Sequence, residues 1–174
     1  MSAPDTLLLA IPRPVVLARC IEHATALGFG RIVLFRSWRV DKSHLGSKVL
    51  RPEELAERVG AGRRQAERDD SPELLTFDRF RPFVEDDLDG LVPTSNRLVA
   101  HPAAETPIHD AELRPGPFAL AIGPELGFTS FEVELLGEYG FAAVGLGRYR
   151  LRVETAMATA TGAIRALRER AADR

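Results

Sequence analysis

Short apolar runs recur along this chain with amphipathic stretches between them, and that alternation limits the folds open to it. Leu7–Ile11 ends at Pro12, Leu98–Ala100 at His101-Pro102, Phe118–Ile122 at Gly123-Pro124, and Phe141–Leu146 at Gly147. Arg31–Phe35 has the same apolar centre, Ile-Val-Leu-Phe. Runs this short and continuous read as strands buried on both faces. Pro14–Leu27 reads as a helix. Val16, Leu17, Cys20, Ile21, Ala24 and Leu27 recur at helical spacing, Pro14 suits the first turn, and Gly28 suits the stop. Pro52 to Arg68 reads as a second helix, with Glu53 and Glu54 at its positive end, though Gly60 and Gly62 weaken it. Thr129–Tyr139 opens with Thr129 and Glu132 in capping-box spacing. A last helix spans Val153 to Ala171. Glu73–Phe77 reads as a short strand, residues 79–92 as an acidic helix or loop, and Arg36–Leu50 as a basic loop without a period. Strands alternating with helices predict an α/β domain with a mostly parallel sheet flanked by helices.

Composition narrows the chemistry. The 174 residues are 45% hydrophobic and 28% charged, the composition of one globular domain. A membrane-spanning helix needs roughly 20 consecutive apolar residues, and no run here comes close, so no membrane association is expected. Met1-Ser2-Ala3-Pro4-Asp5 shows no secretion signal. Cys20 is the only cysteine, which rules out an intrachain disulfide and a cysteine-built zinc site. The expected location is the cytoplasm. His23, His44, His101 and His109 lack metal-ligand spacing, so no metal is expected. A net charge of −2 argues against retention on nucleic acid by bulk charge. The charge is nevertheless patchy. Between Arg31 and Arg51 lie Arg31, Arg36, Arg39, Lys42, Lys48 and Arg51 against one acid, Asp41, and Arg148, Arg150 and Arg152 occupy alternate positions. These clusters are either solvated surface or the edge of a site for an anionic ligand.

In a parallel α/β sheet, ligands bind outside the carboxyl ends of the strands. Three strand ends carry turn-forming residues: Ala100-His101-Pro102, Ile122-Gly123-Pro124-Glu125-Leu126-Gly127, and Leu146-Gly147-Arg148. They form the candidate site. The glycines serve either as turn residues or to let backbone approach a ligand. No phosphate-binding P-loop, dinucleotide fingerprint or nucleophile elbow is present. Glu154 suits the first turn of its helix on dipole grounds as well as it suits catalysis.

The run Leu120–Phe128, then Glu132, Gly140-Phe141, Leu146-Gly147 and Leu151-Arg152-Val153-Glu154-Thr155-Ala156, resembles the ribosomal RNA uracil-N3 methyltransferases of the SPOUT, or trefoil-knot, superfamily. That family reads I-G-P-E-G-G-F, then L-G-x-x-I-L-R-T-E-T-A. Ala24–Gly28, Arg36-Ser37-Trp38-Arg39, Gln65 with Arg68 and Pro72, and His101-Pro102 extend the likeness upstream. The resemblance implies an α/β fold with a C-terminal trefoil knot, and methyl transfer from S-adenosylmethionine to N3 of a uridine in small-subunit ribosomal RNA. It implies that the cofactor is held, bent, by Ala100, His101 and Pro102, by the loop from Ile122 and Gly123 through Pro124, Glu125, Leu126 and Gly127, and by Leu146, Gly147, Leu151 and Arg152. Glu154 is the implied base or orienting acceptor. Arg152 steadies charge on the uracil, and Arg36, Arg39, Lys42 and Lys48 hold RNA phosphates. A homodimer through the knot is implied as well.

Family members carry a small β-rich RNA-binding domain ahead of the catalytic one. Here residues 1–174 are expected to be a single SPOUT domain without it. Leu126 stands where the family has a glycine, Val153 where it has threonine, and Arg148-Tyr149-Arg150 where it has Pro-Arg-Ile. A leucine at position 126 is expected either to strain the turn or to fill the pocket. Two alternatives follow: a non-catalytic scaffold that binds RNA or a protein, and methylation of a different RNA.

Overall fold

The computed structural model describes residues 3–172. Six strands form one sheet: β1 (Thr6–Ala10), β2 (Arg31–Phe35), β3 (Glu73–Phe77), β4 (Asn96–Ala100), β5 (Phe118–Ile122) and β6 (Ala142–Val144). Their order is β3-β2-β1-β5-β4-β6, and every neighbouring pair is parallel. β1 and β5, at the centre, are buried along their whole length, as continuous apolar runs require. The helices are α1 (Pro14–Ala26), α2 (Lys42–Leu45), α3 (Pro52–Ala66), α4 (Phe80–Pro82), α5 (Leu88–Leu91), α6 (Ser130–Glu138) and α7 (Val153–Ala172).

α1 buries Leu17, Cys20, Ile21, Ala24 and Thr25, and α3 packs against it. Gly62 sits at that contact. A Cβ there would lie 2.4 Å from Glu22 O and 2.7 Å from Thr25 Cβ, so the glycine that weakens α3 alone is what lets the two helices close. Arg68 finishes the joint. Its guanidinium donates to Thr25 O and Phe29 O and pairs with Asp70.

The basic stretch 36–50 differs from the expected loop. It contains α2 and a 3₁₀ turn, Lys48–Leu50. The Asp41 and Ser47 side chains accept from Ser43 and Val49 N–H and so start these turns. Both are too short to show a period. In the acidic stretch, α4 runs through a π-helical turn, Phe83–Asp87, into α5, with Phe80, Phe83, Val84 and Leu88 buried and the acids outside.

β6 is shorter than the apolar run suggests. At Gly145 the strand leaves β4. The Gly145 N–H donates to Thr106 O at 2.8 Å, and Gly145 O accepts from Ile108 N at 2.9 Å. Both partners belong to the β4–β5 connection. Asn96 ties the base of that connection to Arg114 and Pro117. The chain then turns at Gly147, whose φ of +108° favours glycine, and α7 runs back against α1, β5 and the 108–110 turn. Arg165 donates to Leu27 O and Arg168 to Asp5, which fixes α7 across the sheet's centre. The fold is the expected one: a mostly parallel α/β sheet with a C-terminal trefoil knot. Among the described residues no helix is long and apolar enough to cross a membrane.

Candidate functional site

The strand order β1-β5-β4-β6 places the carboxyl ends of four parallel strands side by side. The loops leaving them meet around a cleft of ≈ 530 Å³, within the usual range of small-molecule sites, about 300–1,000 Å³. Ala100, His101 and Pro102 line it from β4 and Ile122, Gly123, Pro124, Glu125 and Gly127 from β5. Leu146, Gly147, Leu151, Arg152 and Glu154 close it from the chain after β6. The three turns singled out in the sequence therefore converge.

Each loop is held by specific contacts. Gly123 lies against its own loop's return. A Cβ there would meet Phe128 N at 2.8 Å and Gly127 C at 3.0 Å. Gly127 has φ +72°, and its N–H donates to Pro124 O at 2.7 Å. The loop then drops Phe128 into an aromatic cluster, parallel to the Phe35 ring at a centroid distance of 6.2 Å. His101 bridges two of the loops. Its N–H donates to Val144 O at 3.0 Å, its Nδ1 accepts from Ala103 N, and its Nε2 faces Phe128 O at 3.4 Å. Those ring contacts fit the neutral Nε2–H tautomer.

Leu126 is the exception. It is not among the cleft's lining residues, and it is 63% exposed. The left-handed turn in this loop falls on Gly127, so the leucine neither strains the backbone nor fills the pocket.

Sequence reasoning missed the wall formed by α1. Arg13, Val16 and Arg19 line the cleft, as do Tyr149 and Arg150. The Arg13 N–H, at the start of α1, donates to Glu125 Oε1 at 2.8 Å and joins the first and fifth strand ends. Half of the signal was available, since Pro12-Arg13 is also a strand end; that β1 lies beside β5 is seen only in the sheet.

Glu154 is 14% exposed, and its Oε1 lies 3.6 Å from Arg19 Nη1. Its Oε2 is buried and has no hydrogen-bond partner among the described residues. A buried, unpartnered carboxylate oxygen on a cleft wall is available to a donor on a ligand. The cleft's charge also reaches the core. Burial first, then the charges of Glu154 and Glu125, push the Cys20 thiol up to about 12. Arg39, Lys42 and Lys48 are exposed and Arg36 is half-buried. None of the four lines the cleft.

Comparison with known proteins agrees with the fold. The family described as "RNA methyltransferase domain" matches residues 2–165. A ribosomal RNA small subunit methyltransferase E of Treponema pallidum is 28% identical over 163 residues, covering 92% of this chain and 61% of that protein. The curated relatives are longer, and the chain spans 54–63% of their length. A crystal structure of a ribosomal RNA small subunit methyltransferase E from Neisseria gonorrhoeae, bound to S-adenosylmethionine, superposes with a TM-score of 0.80 at 24% identity, covering 95% of this chain and 66% of that one. A Legionella pneumophila protein in complex with S-adenosylmethionine superposes with a TM-score of 0.76 at 27% identity, covering 95% and 67%.

Proposed function

We propose, from the premise that the chain belongs to the RNA methyltransferase domain family, that it methylates RNA with S-adenosylmethionine as donor. The acceptor in this reading is N3 of a uridine in small-subunit ribosomal RNA, and the place of action is the cytoplasm. The observation that carries it is the unpartnered Glu154 carboxylate oxygen on the wall of a glycine-lined cleft.

The residues present fit the cofactor. Gly123 lets the loop after β5 fold tightly on itself, Gly147 leaves open space beside the backbone for a ligand, Ile122, Pro124, Leu146 and Leu151 offer apolar surface, and Ala100, His101 and Pro102 form the facing wall. When bound there, S-adenosylmethionine supplies a methyl group on a good leaving group. The chain's task is then mainly alignment, which is worth roughly 7–11 kcal/mol of barrier. Uracil N3 carries a proton that must leave before its lone pair can attack. The Glu154 carboxylate accepts that proton, and Arg152, two residues earlier, stabilises negative charge on the uracil oxygens. Arg19 holds Glu154 from the α1 side. N3 lies on the pairing edge, so the target base must enter unpaired. The exposed cations Arg39, Lys42 and Lys48, with Arg36, take the phosphates.

A homodimer belongs to the same proposal. Along one side of α7, Thr155, Ala158, Thr159 and Gly162 are exposed and small enough for a second copy to approach closely. The non-catalytic alternative rests on Leu126 and on the expected lack of the family's N-terminal domain; the first ground is weakened, because Leu126 is exposed and does not line the cleft.

The test combines calorimetry with S-adenosylmethionine and methylation of small-subunit ribosomal RNA read by nucleoside mass spectrometry. Glu154→Gln and Arg152→Ala are each expected to lower the methylation rate by about 10²-fold or more while the cleft still binds cofactor. Absence of cofactor binding, or full activity in both variants, would overturn the proposal. Methylation confined to another RNA would move the substrate and leave the chemistry.

A further inference from the structure

The largest exposed apolar side chain is also the only tryptophan. Trp38 is 86% exposed, an unusual cost for an indole. It is not on a loose loop. Ser37 and Val40 on either side are buried, and the Trp38 N–H donates to Glu132 Oε1 at 2.7 Å. Glu132 is itself only 2% exposed and is fixed through Oε2 by the N–H and hydroxyl of Thr129. The backbone is anchored and the ring is presented.

Two more exposed apolar residues lie on the segments tied to this loop. Phe131, 54% exposed, precedes Glu132, and Leu126 leads to Arg39, whose Nη1 donates to Leu126 O at 2.8 Å. Leu126 sits between Glu125 and Gly127, both of which line the cleft. The patch and the cleft are thus two sides of one loop. Cations lie close to Trp38 in the chain: Arg36 and Arg39 are within two positions of it, Arg39 is tied to Leu126, and Lys42 and Lys48 are exposed beyond. The one acid among them, Asp41, is engaged by the N–H and hydroxyl of Ser43.

We infer that Trp38, with Leu126 and Phe131, is a stacking platform for an unpaired base of the RNA beside the one that enters the cleft, and that Arg36 and Arg39 hold the adjoining phosphates. The inference rests on the RNA methyltransferase reading. An exposed aromatic face with guanidinium groups on the same loop is the chemistry that binds single strands without sequence preference. A second copy seated symmetrically on the patch would set these cations against their own counterparts.

A sole tryptophan makes its own reporter. An unstructured oligouridylate of about eight nucleotides is titrated into the protein while indole fluorescence and its quenching by iodide are followed. Saturable quenching and shielding from iodide are expected. Trp38→Ala, followed by fluorescence anisotropy of a dye-labelled oligouridylate, is expected to weaken binding about 5–150-fold, the worth of one stacked base. Trp38→Phe should retain most of the affinity. An indole still open to iodide at saturation, or a Trp38→Ala protein that binds as the parent does, would overturn the inference. So would an indole that becomes shielded with rising protein concentration alone, together with a dimer in sedimentation. Calorimetry with S-adenosylmethionine separates the two proposals. Loss of cofactor binding in the parent chain removes the methyltransferase reading, whereas the platform stands or falls with the oligouridylate.

Discussion

At position 127 the backbone takes φ +72°, and at position 123 a side chain would collide with backbone on the return of the same loop. These two glycines, and not position 126, set the shape of the cleft's central wall. Leu126→Gly is therefore expected to leave S-adenosylmethionine affinity within about twofold, because it removes no strain and opens no space, and only adds chain entropy of about 1 kcal/mol to folding. Gly123→Ala is expected to lower that affinity at least tenfold, because the Cβ pushes against Phe128 N and Gly127 C and has no flexible atom to displace. Calorimetry on both variants checks the pair. A gain of affinity in Leu126→Gly would show that the leucine does obstruct the site. From the sequence, Leu126 stood out as the departure most threatening to the cofactor site. One-dimensional spacing could not show that its side chain points out of the loop, since that depends on which of its neighbours takes the left-handed turn.

Helix α3 carries two glycines two residues apart, and packing gives them opposite roles. At Gly60 an added Cβ meets only the end of the Arg64 side chain at 3.2 Å, which can move. Gly60→Ala should stabilise the protein by about 0.5–1 kcal/mol, the ordinary gain in helix propensity. At Gly62 the Cβ would meet backbone of α1 at 2.4 Å. Gly62→Ala should destabilise by about 1–3 kcal/mol, as overpacking does. Thermal or urea unfolding of the two variants reads the signs directly. Both glycines look alike in the sequence, where they merely weaken a helix. The elements that were legible are those whose signals are local. Pro14 and Pro52 do open α1 and α3, and Thr129 and Glu132 do form a capping box at α6. The same Glu132 carboxylate also holds Trp38, a contact across 94 positions that no local pattern reveals. The short turns in 36–50 escaped because their caps act over only two residues.

Across the whole molecule, the convergence of the strand-end loops followed from the alternation of strands and helices. Which loops would be neighbours depended on sheet order. Placing β1 beside β5 brings Arg13 and Arg19 into the cleft, and the sequence order of the strands does not announce that pairing. The same proximity links cleft and core through Cys20. With its thiol pushed up from 9.0 to about 12, the folded state holds this proton more tightly than the unfolded chain does. That contribution to stability is fully present below pH 9 and is lost progressively as pH rises towards 12, at about 1.4 kcal/mol per pH unit from this one group. Unfolding monitored from pH 8 to 11 should show that slope, and Cys20→Ala should flatten it. The lacing of Gly145 to the β4–β5 connection has a different reach. Residues 146–156 supply the cleft's last wall and follow every strand in the chain, so the cleft cannot close until that segment has packed, however quickly the sheet forms.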